Sequence, residues 1–526
     1  MENIQPASHE TKVSWLDHPI FSLPNINVEK LVFAIILIIA IFTRFYMLEP
    51  RVMSHDETSH TYFSWLFYKG NGYAHDPVTH GPIQFHLVAL SYFLFGDSDT
   101  TARIPVVLFS IATIAFMWNY RRYLGRAGAM VAAFLLTISP YMLYYGRYVR
   151  NEAYVAFYGV VMLWSILRYI DTARVKYLYI FTLVTVLHFC TKETSFIYVA
   201  QALLFLALFL VYRLSRHTWK RVNYRSYFLY SLIGSLILLG LGILLRIFSE
   251  KSSITEQPLY PFFGTIPSII LILIIIIGIA GLLGAIYFSI SGFGLDRIRR
   301  ERSFDLLMLL GTLVLPQLSA FGINFFGWKV PVNASEVNAL TLPDILHMAL
   351  IVVPVIVGSV ILGLWWNKRQ WLINAGIWYV IYIVLYTSMF TNGAGFFTGL
   401  VGSLGYWLAQ QAVNRGDQPF YYYALVQIPI YEFLPAIGSF IGVLLALMGR
   451  KKIRDYSLEI EDDVSIGEIQ PSQPLPDDEE EDPLLEHLRT TVGTSDPVKK
   501  SPCLSLLIFW SISSLLAYTI AGEKMP

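Results

Sequence analysis

The chain has 526 residues, of which 55% are hydrophobic and only 14% carry charge. That apolar share exceeds the share usual in soluble domains, so the composition excludes an ordinary soluble protein and predicts a polytopic membrane protein. The formal net charge of +1 indicates no particular partner. Both cysteines, Cys190 and Cys503, lie in apolar runs, so we predict neither a disulfide framework nor a CxxC metal site.

Apolar segments of nearly spanning length recur along the chain, and a spanning helix needs about 20 such residues. Residues 1–30 lack the basic region and cleavage site of a signal peptide, so we expect the first apolar segment to be retained. The thirteen predicted spans are 31–48, 102–120, 127–145, 152–169, 176–190, 195–212, 227–248, 265–290, 304–322, 346–366, 371–390, 433–449 and 503–520.

A shorter apolar segment at 83–95 has thirteen residues and contains His86, so it suits either a short span or an interfacial helix. Basic residues decide between these, because lysine and arginine accumulate on the cytoplasmic side. If 83–95 does not cross, the loops after every second span share one side and hold 22 basic residues. We therefore predict an interfacial helix, a cytoplasmic N-terminus and an outer C-terminus.

These predictions give an all-α membrane protein with four parts. Residues 1–30 form a cytoplasmic N-terminal segment, and 31–449 form a transmembrane domain whose first outer loop, 49–101, contains interfacial helices. Residues 450–502 are acidic and proline-rich, which predicts a disordered cytoplasmic linker. Residues 503–526 form the last span, and their short tail leaves open whether the chain is a fragment.

The first outer loop carries a histidine-rich, acidic stretch at 51–86 between apolar segments. Hydrocarbon strongly disfavours such a cluster, so we place it in water or in a protein cavity at the membrane face. We interpret Asp56, next to Glu57, as a general base that takes a proton from an acceptor hydroxyl. Two alternatives stay open, namely solvated loop charge and a divalent-cation site formed by His55, Asp56 and His80.

Other outer loops carry candidate substrate contacts. Arg150, in the sequence YYGRYVRNEAY, suits a phosphate group, and the alternative is a snorkelling anchor. Lys192, in HFCTKETSF, suits a leaving phosphate, and the alternative is a charge at a hairpin tip. The glycine- and aromatic-rich loop at 391–432 suits a substrate-binding loop, with Tyr406, Arg415 and Tyr421 as its candidate contacts. The alternative is an ordinary surface loop, in which glycine-rich irregular backbone would also occur.

The combined motifs SHDE at 54–57, DPVTHGP, YGRYVRNEAY, TKETSF and GSLGYWLAQQAVNRGDQPFYYY resemble the prokaryotic flippase-activity-associated membrane proteins. That family is similar to the protein O-mannosyltransferases and the lipid A aminoarabinose transferases of the GT-C glycosyltransferase fold. The resemblance implies a polyprenyl-phosphate sugar donor, an acidic catalytic base at Asp56 or Glu57, and an outer cation at Lys192. The chain departs from the transferase pattern at His80-Gly81-Pro82, where transferases have a lysine or two prolines.

We therefore expect a plasma-membrane glycosyltransferase that transfers a hexosyl or pentosyl group from a polyprenyl-phosphate donor to a glycan, lipid or protein acceptor at the non-cytoplasmic face. His80, Arg150 and Lys192 would bind the donor phosphate. We expect no required cofactor, with a divalent cation as an alternative, and no nucleic-acid partner. The alternative function is a non-enzymatic flippase or transporter of lipid-linked sugars. Transporters place ionisable groups near the membrane midplane, whereas the polar groups here collect on one face, which favours the enzyme.

Overall fold

A computed structural model describes residues 27–254, 268–410, 418–419, 421–447 and 502–520. The main elements of these residues are helices, as the sequence predicts. In chain order they are α1 (Val28–Phe45), α2 (His55–Tyr68), α3 (Ile83–Phe95), α4 (Asp99–Phe116), α5 (Arg121–Ile138), α6 (Pro140–Tyr145), α7 (Glu152–Thr172), α8 (Lys176–Phe189), α9 (Thr194–Arg216), α10 (Val222–Ile254), α11 (Ser268–Gly292), α12 (Arg302–Val314), α13 (Ser319–Phe325), α14 (Leu342–Tyr386), α15 (Ser403–Gln410), α16 (Phe433–Leu447) and α17 (Cys503–Ile520).

By length and composition, seven helices in the described residues suit a membrane span, or eight if the bent pair Tyr422–Tyr431 and Phe433–Ile441 counts as one. The chain is thus a multi-pass membrane protein, as the composition predicts. Each of the thirteen predicted spans overlaps a helix. The smaller number arises partly because two continuous helical stretches each contain two predicted spans, and partly because α8 and α17 are short.

The longest helical stretch, α14, contains two predicted spans, because two helices meet at a kink at Asn367. The stretch has 45 residues, enough for two spans of about 20 residues each. Asn367 has non-helical dihedral angles, and its side chain accepts a hydrogen bond from the backbone of Gln370 at 3.0 Å. Asn367 therefore ends the first half and caps the second, between the predicted spans 346–366 and 371–390.

The described chain divides into two compact units. One is built from Leu203–Met308 and contains the paired helices α10 and α11 with an aromatic core around Trp219, Phe228 and Phe293. The other contains the residues before and after that segment, including α1 to α8, α13 to α17 and the first outer loop. Helices α9 and α12 contribute residues to both units.

A buried arginine joins three helices of the larger unit. Arg44, near the end of α1, is fully buried and donates hydrogen bonds to the backbone oxygens of Leu136 at 2.9 Å and Thr137 at 2.8 Å. It also donates to the Ser110 hydroxyl of α4 at 3.3 Å. Because the last carbonyls of a helix have no partner within that helix, Arg44 supplies the missing donors at the end of α5.

The first outer loop folds into α2, a turn at Pro77–Thr79, and α3, so the predicted short segment 83–95 is helical. One side of α2 exposes Tyr62, Phe63 and Trp65, as expected for a helix at the lipid interface. Residues 1–26 of the predicted N-terminal segment and residues 450–501 of the predicted linker lie outside the described residues. The predicted orientation of the N-terminus stays a prediction.

Candidate functional site

The first turn of α2 carries two neighbouring carboxylates in different environments. Glu57 is fully buried and accepts hydrogen bonds from Arg51 at 2.7 Å, Arg103 at 3.2 Å and the backbone N–H of Val149 at 3.0 Å. These contacts join α2 to α4 and to the segment before α7. Asp56 instead has a side chain that is 43% exposed. The solvent-accessible carboxylate of the pair is therefore Asp56.

A continuous chain of ion pairs extends from Asp56 to Lys192. The Asp56 Oδ2 atom lies 3.1 Å from Arg150 Nη1, and Arg150 Nε lies 3.6 Å from Glu152 Oε1. The same oxygen of Glu152 lies 2.7 Å from Lys192 Nζ. Although burial opposes its charge, the carboxylates of Glu152 and Asp56 raise the pKa of Arg150. The structure thus brings together Asp56, Arg150 and Lys192 from three separate segments.

The third predicted phosphate contact, His80, faces Glu193, the residue that follows Lys192. His80 Nδ1 lies 2.6 Å from Glu193 Oε2. Although burial opposes ionisation of Glu193, the charge and hydrogen bond of His80 lower the pKa of this carboxyl. One short turn between α8 and α9 therefore provides a cation to the Asp56 network and a carboxylate to His80.

Backbone contacts hold the first outer loop against that turn. Gly81 N–H donates to the backbone oxygen of Thr191 at 3.0 Å, and Ile83 N–H donates to that of Cys190 at 2.9 Å. A Cβ atom on Gly81 would lie only 2.3 Å from the Cys190 oxygen, so this approach requires glycine. The His80-Gly81-Pro82 sequence, where the chain departs from the transferase pattern, is thus the part of the loop that contacts the turn.

Two further histidines lie close to this network and are buried. Burial and the nearby charges of His80 and Arg150 lower the pKa of His60 to about 3. Burial lowers the pKa of His75 to about 4, and its Nδ1 atom lies 2.8 Å from the Thr398 hydroxyl. Both rings are therefore neutral near pH 7.

The predicted substrate loop comes near the site through two elements, the segment Thr398–Gly402, which contains the Thr398 partner of His75, and helix α15. Helix α15, which carries the half-buried Tyr406, contacts the turn Pro77–Thr79 that precedes His80. Tyr421 is 43% exposed and precedes the turn Tyr422–Gln427, which contacts α17. Arg415 lies outside the described residues. Substrate contacts of Tyr406, Arg415 and Tyr421 stay predictions.

The alternative metal site does not assemble as a cluster in the described part of the chain. Within that part, no three His, Cys, Asp or Glu side chains are grouped so that they could hold a metal ion. His55 has a side chain that is 96% exposed and lies 3.7 Å from Asp56, whereas His80 is paired with Glu193.

The sequence reasoning missed three contacts that the fold creates. Glu152 links Arg150 to Lys192, Glu193 pairs with His80, and Arg103 neutralises Glu57 from the neighbouring helix α4. The sequence did contain a signal for Glu152, Glu193 and Arg103, because each of them is a charged residue in or next to a strongly apolar helix. The pairs Glu152–Lys192, Glu193–His80 and Arg103–Glu57 are separated by 40 to 113 positions in the chain, so no local pattern identifies them.

Residues 79–239 match the family described as dolichyl-phosphate-mannose-protein mannosyltransferase. The matched segment is less than a third of the chain and includes His80, Arg150, Glu152 and Lys192 but not Asp56. No curated protein and no solved structure matches the chain. The family match agrees with the GT-C resemblance of the motifs and supports a membrane glycosyltransferase of the GT-C type.

Proposed function

From the match to the mannosyltransferase family, we propose that the protein transfers a sugar from a polyprenyl-phosphate donor to an acceptor hydroxyl at the non-cytoplasmic membrane face. The observation that supports this most strongly is the ion-pair chain from Asp56 through Arg150 and Glu152 to Lys192. It places an accessible carboxylate and two cations in one network beside apolar helices. A lipid-linked phosphate sugar needs the same combination of a base, cations and a lipid-accessible position.

Asp56 is the proposed general base. Its carboxylate takes the proton of the acceptor hydroxyl while the acceptor oxygen bonds to the anomeric carbon of the sugar. The bond from that carbon to the phosphate oxygen breaks, and its electron pair remains on the departing polyprenyl phosphate. The 3.1 Å contact with Arg150 fixes the direction of the carboxylate before the acceptor binds. A single displacement of this kind inverts the configuration at the anomeric carbon.

Arg150, Lys192 and His80 are the proposed contacts of the donor phosphate. The side chains of Arg150 and Lys192 are only 15% and 18% exposed, so their charges act in a partly desolvated environment where electrostatic stabilisation is stronger than in bulk water. Glu152 bonds both cations at rest and keeps them in place. As the phosphate gains negative charge during transfer, these cations stabilise the product side of the reaction.

The test uses purified protein in lipid nanodiscs with a panel of polyprenyl-phosphate sugars. Release of polyprenyl phosphate is measured with water and with added glycans, lipids and peptides as acceptors. We expect one donor to be consumed, and Asp56→Asn to reduce its turnover by about 10²–10⁴-fold, as loss of a general base does. Parallel reactions with a chelator test the divalent-cation alternative, and we expect no effect.

The matched control is Asp97→Asn, which removes another carboxylate of the same outer loop. Asp97 pairs with Lys69 at 3.3 Å, outside the Asp56 network, and we expect this variant to retain turnover. Turnover of every donor by Asp56→Asn at the rate of the unaltered protein would contradict the proposed base. Translocation of a fluorescent lipid-linked sugar without any release would instead indicate the transporter.

A further inference from the structure

Helix α6 brings several tyrosines to the segment that leads into Arg150. The sequence PYMLYYGRY at 140–148 contains Tyr141, Tyr144, Tyr145 and Tyr148. Residues four positions apart lie on the same face of a helix, so Tyr141 and Tyr145 share one face. Their ring centroids are 4.5 Å apart, and the ring planes are tilted by 44°. We call these two side chains the α6 ring pair, and the proposed transfer has so far provided no role for them.

The α6 ring pair lies beside the ion-pair chain of the site. Tyr145 is half-buried, and its hydroxyl is close enough to Arg150 and Glu152 for both charges to act on it. Tyr141 is 43% exposed, and the charge of Glu152 acts on its hydroxyl as well. The ring pair therefore borders the part of the network that supplies the cations.

The same segment continues to the carboxylate end of the network. The Tyr148 hydroxyl lies 2.5 Å from the hydroxyl of Ser54, which caps α2 two residues before Asp56. The charge of Asp56 also acts on Tyr148. Residues 141–148 therefore extend alongside the network from its cations to its accessible carboxylate.

The helix that carries the ring pair is fixed at both ends. At its start, the Ser139 hydroxyl accepts from the Met142 backbone N–H at 3.1 Å and donates to the Glu432 carboxylate. At its end, Gly146 packs closely on α4, where an added Cβ would lie 2.3 Å from Ser110 Oγ. A surface that is already held in place loses little conformational entropy when a ligand binds. The ring pair is thus pre-organised as a binding surface.

A sugar ring suits a surface of this kind. One face of a pyranose presents C–H groups with a small positive partial charge, whereas the face of an aromatic ring is negative. In the proposed reaction the anomeric carbon is bonded to the phosphate and is attacked by the oxygen whose proton goes to Asp56. The sugar therefore lies between the phosphate cations and Asp56, which is the stretch that residues 141–148 border.

We propose that Tyr145, together with Tyr141, forms the surface on which the sugar ring of the lipid-linked donor stacks, so that these tyrosines favour donors that carry a pyranose. The inference rests on the proposed transferase function and adds a sugar contact to it. Neither ring takes part in a bond change, and the acceptor proton still goes to Asp56. The contact uses the face of the ring, so phenylalanine can replace Tyr145.

The test compares binding of lipids with and without a sugar to the full-length protein in nanodiscs. The probes are the mannosyl, glucosyl and galactosyl phosphodiesters of undecaprenol, and undecaprenyl methyl phosphate, which keeps the phosphodiester charge but has no sugar. We expect Tyr145→Leu to raise the Kd of at least one sugar-bearing probe by about 3–10-fold, as loss of an aromatic contact does. The Kd of undecaprenyl methyl phosphate should stay unchanged. Tyr145→Phe should bind every probe as the unaltered protein does.

The matched control is Tyr144→Leu, which removes the neighbouring ring of the same helix. The Tyr144 ring centroid lies 5.7 Å from Cζ of Arg51, a partner of the buried Glu57, and we expect this variant to leave every Kd unchanged. Tyr141→Leu removes the more exposed ring of the pair and should raise the Kd of the same sugar-bearing probes, which keeps the test available if Tyr145→Leu does not fold. Variants of the ring pair that change the Kd of all probes equally, or of none, would overturn the inference.

The release assay separates failure of the inference from failure of the proposed function. We expect Tyr145→Leu to raise KM for the donor with little change in kcat, because stacking holds the sugar both before and during transfer. Release with an unchanged KM would refute the sugar contact and leave the transferase intact. A sugar-specific loss of binding in the variant, without release from any donor by the unaltered protein, would refute the transferase and retain the sugar contact. Absence of both effects would overturn both.

Discussion

Replacing Glu57 by glutamine should separate the structural carboxylate of the SHDE sequence from the reactive one. Glu57 is fully buried, and its partner Arg103 has a side chain that is only 1% exposed. Glutamine has nearly the same shape and retains an acceptor oxygen, but it removes the negative charge. The change leaves the Arg103 guanidinium buried beside a neutral amide.

The expected cost follows from the number and burial of the contacts. Removing one partner of a buried ion pair typically lowers the free energy of unfolding by about 3–5 kcal/mol, because the other charge is left buried without compensation. Arg51, at 2.7 Å from Glu57, is 38% exposed and can be solvated, so most of the loss comes from Arg103. We therefore expect Glu57→Gln to be clearly less stable than Asp56→Asn, in which the altered side chain is accessible to water.

The assay compares thermal midpoints of Glu57→Gln, Asp56→Asn and the control Asp97→Asn in the same detergent, together with sugar transfer at a low temperature where all three are folded. We expect a lowered midpoint with measurable transfer for Glu57→Gln, and a normal midpoint without transfer for Asp56→Asn. A Glu57→Gln protein as stable as the control but inactive would refute this reasoning and would identify Glu57 as the reacting carboxylate.

Three other substitutions test the fold around the site. Gly81→Ala should strongly reduce transfer, because the added Cβ would lie 2.3 Å from the Cys190 carbonyl oxygen. Gly393→Ala is the control, because a Cβ added there has no neighbouring atom within 4 Å. We expect this control to match the unaltered protein in the release assay. His75→Gln should reduce the loss of thermal stability between pH 7 and pH 5. The pKa of His75 is about 4 in the folded protein and about 6.5 in the unfolded chain, so the unfolded state binds the extra proton between pH 7 and pH 5. Acidification over this range therefore lowers the free energy of unfolding by about 1–2 kcal/mol through His75. Equal losses in the variant and the unaltered protein would contradict this expectation. Arg44→Met should lower the thermal midpoint, because it removes the donors to two backbone carbonyls at the end of α5. Each buried carbonyl without a partner lowers the free energy of unfolding by about 1–3 kcal/mol. An unchanged midpoint would show that those carbonyls find other donors.

The sequence by itself determined the class of the protein and the places where its charges collect. Apolar segments of spanning length become helices because every backbone polar group in hydrocarbon needs a partner within the same segment, so composition and length suffice. Asp56, Arg150 and Lys192 could be selected for a related reason. Charged residues are disfavoured in hydrocarbon and therefore collect at the ends of apolar helices, and these three fall in separate loops that are predicted to share one side of the membrane.

The tertiary structure decided which of those charges meet and which carboxylate remains accessible. Asp56 and Glu57 are adjacent and look equivalent in the sequence. In the fold, Glu57 is buried against Arg103 of α4, whereas Asp56 stays accessible to solvent and pairs with Arg150. The pairing of His80 with Glu193, 113 positions later, depends on the close approach of a loop backbone to a helix turn. Side-chain chemistry and periodicity are local properties, and contacts of this kind arise only when distant segments pack together.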